Sequence, residues 1–135
     1  MKVTVVSAST QTGQAAVGHL LTSNDPDVSV VGIYRDVAQA PGKFKENPRF
    51  EARLGDLASA ESLSFSGSDV VIAVLPPLWA DRLGPVAASG QFAQNVEEAV
   101  RASGTVRRLV YVSSMGAQYE DGTVCHPNPL TYLHL

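Results

Sequence analysis

The chain of 135 residues holds one cysteine, Cys125, which excludes an internal disulfide. Its three histidines, His19, His126 and His134, form no cluster at metal-ligand spacing, and none has a neighbour that suggests catalysis. No apolar stretch approaches the ~20 residues that span a bilayer. The run at residues 3–6, preceded by Lys2 alone, is too short for a secretory signal. A net charge of −3 leaves no basic footprint, which argues against nucleic acid as a partner. Lysine is scarce: Lys2, Lys43 and Lys45 are the only three. What is present is ordinary, with 44% hydrophobic and 17% charged residues. The expectation is a soluble, cytoplasmic domain with one core, too short for two.

The most informative segment is residues 2–21. Val3 to Val6 is a continuous β-branched run, as in a strand buried on both faces of a parallel sheet. Small polar residues come next. Apolar positions then return at helical spacing, at Ala16, Val17, Leu20 and Leu21. Such a strand–turn–helix is the entry of a dinucleotide-binding fold, where a helix N-terminus meets a pyrophosphate. The usual turn carries three glycines. Here those places read Ser7, Thr10 and Gly13, so only the last is kept.

Asn24-Asp25-Pro26-Asp27 ends the helix, and a second strand runs from Val28 to Tyr34 up to Arg35-Asp36. Residues 38–48 hold two prolines and a glycine and read as a short helix or loop. Further strands are expected at 50–54, 70–75 and 109–113, with a short helix at 58–63 and a long one at about 91–103 capped by Gly104. Alternating strands and helices imply right-handed βαβ units. The expected fold class is α/β, a Rossmann-like parallel sheet of five strands in the order 3-2-1-4-5. Val5, Val31, Val71, Ile72 and Val110 should form its buried centre. Residues 1–121 read as the dinucleotide-binding domain, and 122–135 as an irregular, poorly ordered tail too short for a further strand and helix.

Several features lie in register along the chain. They are the turn Ser7-Ala8-Ser9-Thr10-Gln11-Thr12-Gly13, the pair Arg35-Asp36, and Gly55-Asp56-Leu57 with the segment after it. Leu75-Pro76-Pro77, Asn95 and the run from Val110 to Gln118 complete them. No single one is specific, but their order and spacing are. On these features the chain resembles the N-terminal portion of NmrA-like proteins, in the atypical short-chain dehydrogenase/reductase group. The resemblance covers residues 2–123. Residues 124–135 are unlike the family's substrate-side segment, so a truncated product or an incorrect exon boundary is expected.

The turn at Ser7, Thr10, Gln11, Thr12 and Gly13 would hold the phosphates, and the two hydroxyls that replace glycine can themselves donate to phosphate. Arg35, at the end of the second strand, would pair with an adenosine 2′-phosphate and select NADP over NAD, although Asp36 beside it blurs that reading. The resemblance implies that Asp56 accepts from the adenine amine and that Leu57 lies on the ring. Read alone, Asp56 is an N-cap for the helix after it. Leu75, Pro76 and Pro77 would border the nicotinamide side, and Ser113 and Ser114 stand where a hydroxyl could orient a substrate.

The wider superfamily uses a Tyr-x-x-x-Lys pair for proton transfer, and no lysine comes after Lys45 to supply one. Two functions therefore stand open: in its intact form, an NADPH-dependent oxidoreductase of a small organic substrate such as a quinone or ketone, or a non-catalytic dinucleotide-sensing regulator that binds protein partners. A third outcome is a fragment without activity. The fifth strand should leave an open sheet edge that invites self-association or a partner chain, and apolar surface around Leu75, Pro76, Pro77 and Leu78 should face water.

Overall fold

The computed structural model describes residues 1–75 and 85–112, together with the pairs 124–125 and 132–133. Five strands, β1 (Lys2–Val6), β2 (Ser29–Tyr34), β3 (Phe50–Leu54), β4 (Val70–Val74) and β5 (Arg108–Val112), form one sheet in the order β3-β2-β1-β4-β5. All four neighbouring pairs are parallel, with Val5 opposite Gly32 on one side and Ile72 on the other. This is the expected Rossmann-like topology, with strand limits within a residue or so of those read from the sequence.

Helix α1 (Gln11–Thr22) returns from β1 to β2 and buries Gly13, Val17 and Leu21, one residue per turn of a single stripe. It stops before the Asn24–Asp27 turn, where the Asp25 carboxylate accepts from the Asp27 N–H at 3.0 Å. The stretch between β2 and β3 holds a single 3₁₀ turn, Val37–Gln39, and the short helix α2 (Gly42–Lys45). Helix α3 (Pro85–Ser103) connects β4 to β5. Its start lies six residues ahead of the expected Gln91. Proline at the first helical position loses no intrahelical hydrogen bond, so Pro85 opens the helix rather than excluding it.

Strand alternation divides the core in two. Val3, Val5, Val30 and Tyr34 face α1 and α2, joining Val17, Leu21 and Phe44. Val6, Val31, Ile33, Val71 and Ala73 face α3, joining Val96, Ala99, Leu63 and Phe65. The central polar residue of β1, Thr4, is fully buried and satisfied by the Ser68 hydroxyl 2.6 Å away.

Val5, Val31 and Val71 are buried as expected, but Ile72 is only partly so and Val110 is 41% exposed. The reason is the register. Ile72 pairs with Val110 on the α1 side of the sheet, and α1 lies over β1 and β2. Among the described residues no helix covers that side of β5. A two-strand antiparallel pair, β6 (Val124–Cys125) with β7 (Tyr132–Leu133), lies within the segment that reads as irregular.

Candidate functional site

The carboxyl ends of β1, β2 and β3 open on a cleft of about 200 Å³. Its walls are Ser7, Ser9 and Thr10 from the β1–α1 turn, Ile33 and Arg35 from the end of β2, Gly55, Asp56 and Leu57 after β3, and Phe92 from α3. Open parallel sheets bind ligands at this place, where the chain order reverses between β1 and β4.

One backbone angle and two hydrogen bonds shape the turn. Ser7 has φ of +57°, a left-handed conformation that side chains rarely adopt and that glycine adopts without strain. The Thr10 hydroxyl donates to the Ser7 carbonyl at 2.8 Å and accepts from the Gly13 N–H at 3.0 Å. Thr10 is therefore the N-cap of α1. Both bonds are internal, so the hydroxyl braces the turn, and its proton is not directed at a phosphate as the sequence pattern allowed. Gly13 is required by space, because a Cβ there would lie 2.3 Å from the Ser7 oxygen and 2.9 Å from the Ala8 Cα. The exposed N–H groups of Gln11 and Thr12, in the first turn of α1, find no acceptor among the described residues. They are the donors a helix N-terminus offers to an anion.

At the end of β2 the alternation of side chains separates Arg35 from Asp36. Ile33 faces the cleft and Tyr34 the opposite core, so Arg35 returns to the cleft side. Asp36 does not line the cleft, and its carboxylate accepts from the Ala38 N–H at 2.9 Å. Arg35 is exposed and makes no hydrogen bond or ion pair among the described residues. Of the Arg-Asp pair, it is thus Arg35 that stands on the cleft side.

The third wall is the loop after β3. Gly55 is held by its N–H to the Tyr34 carbonyl at 2.9 Å, and a Cβ there would lie 2.8 Å from Ile33 Cγ2. The expected helix at 58–63 is only a 3₁₀ turn, Ala60–Ser62. A segment this short cannot recover the cost of nucleating an α-helix. Asp56 accordingly does not cap a helix. Its carboxylate accepts from the Ala58 N–H at 3.0 Å, an Asx turn. The Ser62 hydroxyl then fixes the loop, accepting from the Asp56 N–H at 2.8 Å. Leu57 is buried on the cleft wall, and its carbonyl accepts from the side-chain amide of Asn95 at 2.7 Å. Asn95 is itself buried and accepts from Gln91 at 3.1 Å, so a polar pair on α3 pins the loop that carries Asp56 and Leu57.

Of the expected site residues, Ser7, Thr10, Arg35, Asp56 and Leu57 come together around the cleft. Gln11, Thr12 and Gly13 stand beside it at the start of α1. Leu75, half-buried after β4, belongs to the α3-side cluster and is not one of the cleft's walls. Pro76, Pro77 and Ser113, with Leu78 and Ser114, lie outside the described residues. Sequence reading did not assign Val6, Ser9, Ile33, Gly55 and Phe92 to the site, though all five line the cleft. Ile33 was recoverable from its place two residues before Arg35, on the same face of the strand.

A parallel sheet of this order, with a helix N-terminus at its reversal point, defines a dinucleotide-binding domain. A family model for NAD(P)H-binding proteins matches residues 7–131, and the chain belongs to that family. The resemblance to the NmrA-like, atypical short-chain dehydrogenase/reductase group agrees with this. The chain is similar to a triphenylmethane reductase of Citrobacter sp., solved with NADP(H), at 26% identity and a TM-score of 0.68. It is also similar in fold to an NADPH-dependent quinone oxidoreductase of Escherichia coli, at 21% identity and a TM-score of 0.65. A nucleoside-diphosphate-sugar epimerase of Staphylococcus aureus shares the fold at 18% identity and a TM-score of 0.73, over 91% of this chain and 41% of the epimerase. The matches to the two reductases cover 83% of this chain but only 37% and 36% of theirs. No curated protein matches it.

Proposed function

We propose that this chain binds NADP(H) in preference to NAD(H) and serves an oxidoreductase that reduces a small organic substrate such as a quinone or ketone. The observation that carries the reading is Arg35, a cation on the cleft side of β2 with no partner among the described residues, facing the loop of Asp56 and Leu57. A guanidinium there meets an adenosine 2′-phosphate with charge-assisted hydrogen bonds, whereas the ribose hydroxyls of NAD give it nothing comparable. The Gln11 and Thr12 N–H groups would receive the pyrophosphate, and Gly13 lets α1 stand close enough to do so. Asp56 and Leu57 would hold the adenine, the first through the carboxylate oxygen left over from its Asx turn.

Bound nicotinamide supplies hydride chemistry. The part of this chain is to bind and orient it. On this reading Leu75, Pro76 and Pro77 border the nicotinamide side and Ser113 orients a substrate. The NADP(H)-bound reductase at 26% identity supports the redox class. The direct experiment is to follow NADPH absorbance while the intact oxidoreductase that carries this chain meets a panel of quinones, ketones and triphenylmethane dyes. Substrate-dependent oxidation is expected of that intact form, and NADPH binding by it without turnover on any of them would favour the second reading.

That second reading is a non-catalytic NADP-sensing protein that binds partners. Either reading suits a cytoplasmic protein, and among the described residues no helix is long and apolar enough to cross a membrane. Self-association or a protein partner would use β5, which lies at the sheet edge and exposes Val110, Tyr111 and Val112.

A further inference from the structure

We infer that Asp36 is the positioning residue for cofactor choice: by capping the Val37–Gln39 turn behind Arg35, its carboxylate keeps the arginine aimed into the cleft and itself out of it. The inference rests on the NADP-binding reading above and deepens it.

Arg35 has no partner of its own among the described residues, so only its backbone fixes where the guanidinium can reach. On the N-terminal side that backbone is held by the sheet, where Tyr34 pairs with Leu54 and the Tyr34 carbonyl accepts from Gly55. On the C-terminal side everything passes through Asp36. Its carboxylate accepts from the Ala38 N–H at 2.9 Å, its carbonyl accepts from the Gln39 N–H at 3.0 Å, and the turn closes with Ala40 N–H to Val37 carbonyl at 3.2 Å. Ala40 is buried on the α1 side of the sheet, which anchors the turn there. The chain is thus drawn towards the face opposite the cleft immediately after Arg35, and Asp36 goes with it.

An acidic group at the end of a second strand is the feature that accepts from the ribose hydroxyls of NAD and repels a 2′-phosphate. Here such a group is present but turned away and occupied. The cap therefore does two things at once: it orients the phosphate-binding cation and removes the competing anion. Asparagine and serine accept the same N–H bond without the charge, and alanine cannot. That difference separates a capping role from a role of the carboxylate inside the cleft.

The test measures NADPH and NADH dissociation constants by fluorescence titration for the wild type and for Asp36→Asn, Asp36→Ser and Asp36→Ala. Asp36→Asn and Asp36→Ser are expected to keep the wild-type preference. Asp36→Ala is expected to lose about fivefold in NADPH affinity, the size of a lost cap, with NADH affinity unchanged. A general loss of structure would weaken both dinucleotides together, which would overturn the inference. So would equal behaviour of Asp36→Asn and Asp36→Ala, whether both tighten NADPH or both leave it unchanged. A wild type that binds neither dinucleotide would bring down the underlying reading as well. NADPH preference in the wild type with no contrast between Asp36→Asn and Asp36→Ala would leave the reading standing and remove only the inference.

Discussion

A methyl group on Gly13 would sit 2.3 Å from the carbonyl oxygen of Ser7, closer than any real pair of such atoms. Neither partner can yield. The obstacle is backbone, and Ser7 is already braced by the Thr10 hydroxyl and amide. Gly13→Ala is therefore expected to destabilise the domain by about 2–3 kcal/mol and to weaken dinucleotide binding by pushing α1 off β1. Chemical denaturation together with an NADPH titration checks both. An unchanged midpoint would contradict this account of the turn.

The other two positions of that turn should respond in opposite directions. Ser7→Gly removes a left-handed non-glycine residue and is expected to raise stability by about 0.5–1 kcal/mol despite the added chain entropy. Thr10→Ala removes the N-cap and the brace to Ser7, and should cost about 1–2 kcal/mol. Denaturant midpoints of the two variants decide the matter.

Arg49, just before β3, closes the far end of α1. Its guanidinium donates to the carbonyl oxygens of Asp25 at 2.8 Å, Val28 at 3.4 Å and Leu21. Hydrogen bonds from a charged donor to carbonyls at a helix end are favourable twice over, once as bonds and once through the helix dipole. Arg49→Met should cost about 1.5–3 kcal/mol. Arg49→Lys should recover only part of it, since an ammonium lacks the planar fork. Equal melting temperatures for wild type and Arg49→Met would show that the three contacts contribute nothing.

Tyr34 is buried beneath α1 and α2 and its hydroxyl has no partner among the described residues. Burial raises its pKa above the ordinary tyrosine value. Tyr111 is raised too, first by burial and then by the nearby Glu97. A phenol whose folded pKa is raised favours folding fully below the unfolded pKa, near 10, and loses that contribution as the pH climbs through the folded value. Stability should therefore be flat around neutrality and fall above pH ~10. Tyr34→Phe should lessen that fall. Denaturation midpoints read across alkaline pH, with ultraviolet tyrosinate absorbance alongside, provide the check.

The strands were legible because β-branched runs such as Val3–Val6 and Val70–Val74 admit few other readings, and the glycine at position 13 marked the turn. Three things were not. Which of Arg35 and Asp36 enters the cleft depends on strand parity relative to Ile33, fixed only when the sheet register is known. The burial of Val110 depends on what covers its face, which its own pattern does not record. The role of Thr10 depended on its hydroxyl being consumed twice inside the turn, and a polar residue at a phosphate site reads equally well as a ligand.

The central claim is that the cleft between Thr10, Arg35 and Asp56 takes an adenosine carrying a 2′-phosphate. The measurement that reaches it most directly is calorimetric titration of the chain with 2′,5′-ADP and with 5′-ADP, which compares the adenosine with and without that phosphate. Both are repeated on Arg35→Ser. The account predicts that the wild type binds 2′,5′-ADP more tightly by roughly 1.5–3 kcal/mol, the value of a charge-assisted contact, and that Arg35→Ser erases the difference while leaving 5′-ADP affinity in place. Equal affinity of the wild type for the two nucleotides, or a preference that survives in Arg35→Ser, would contradict it.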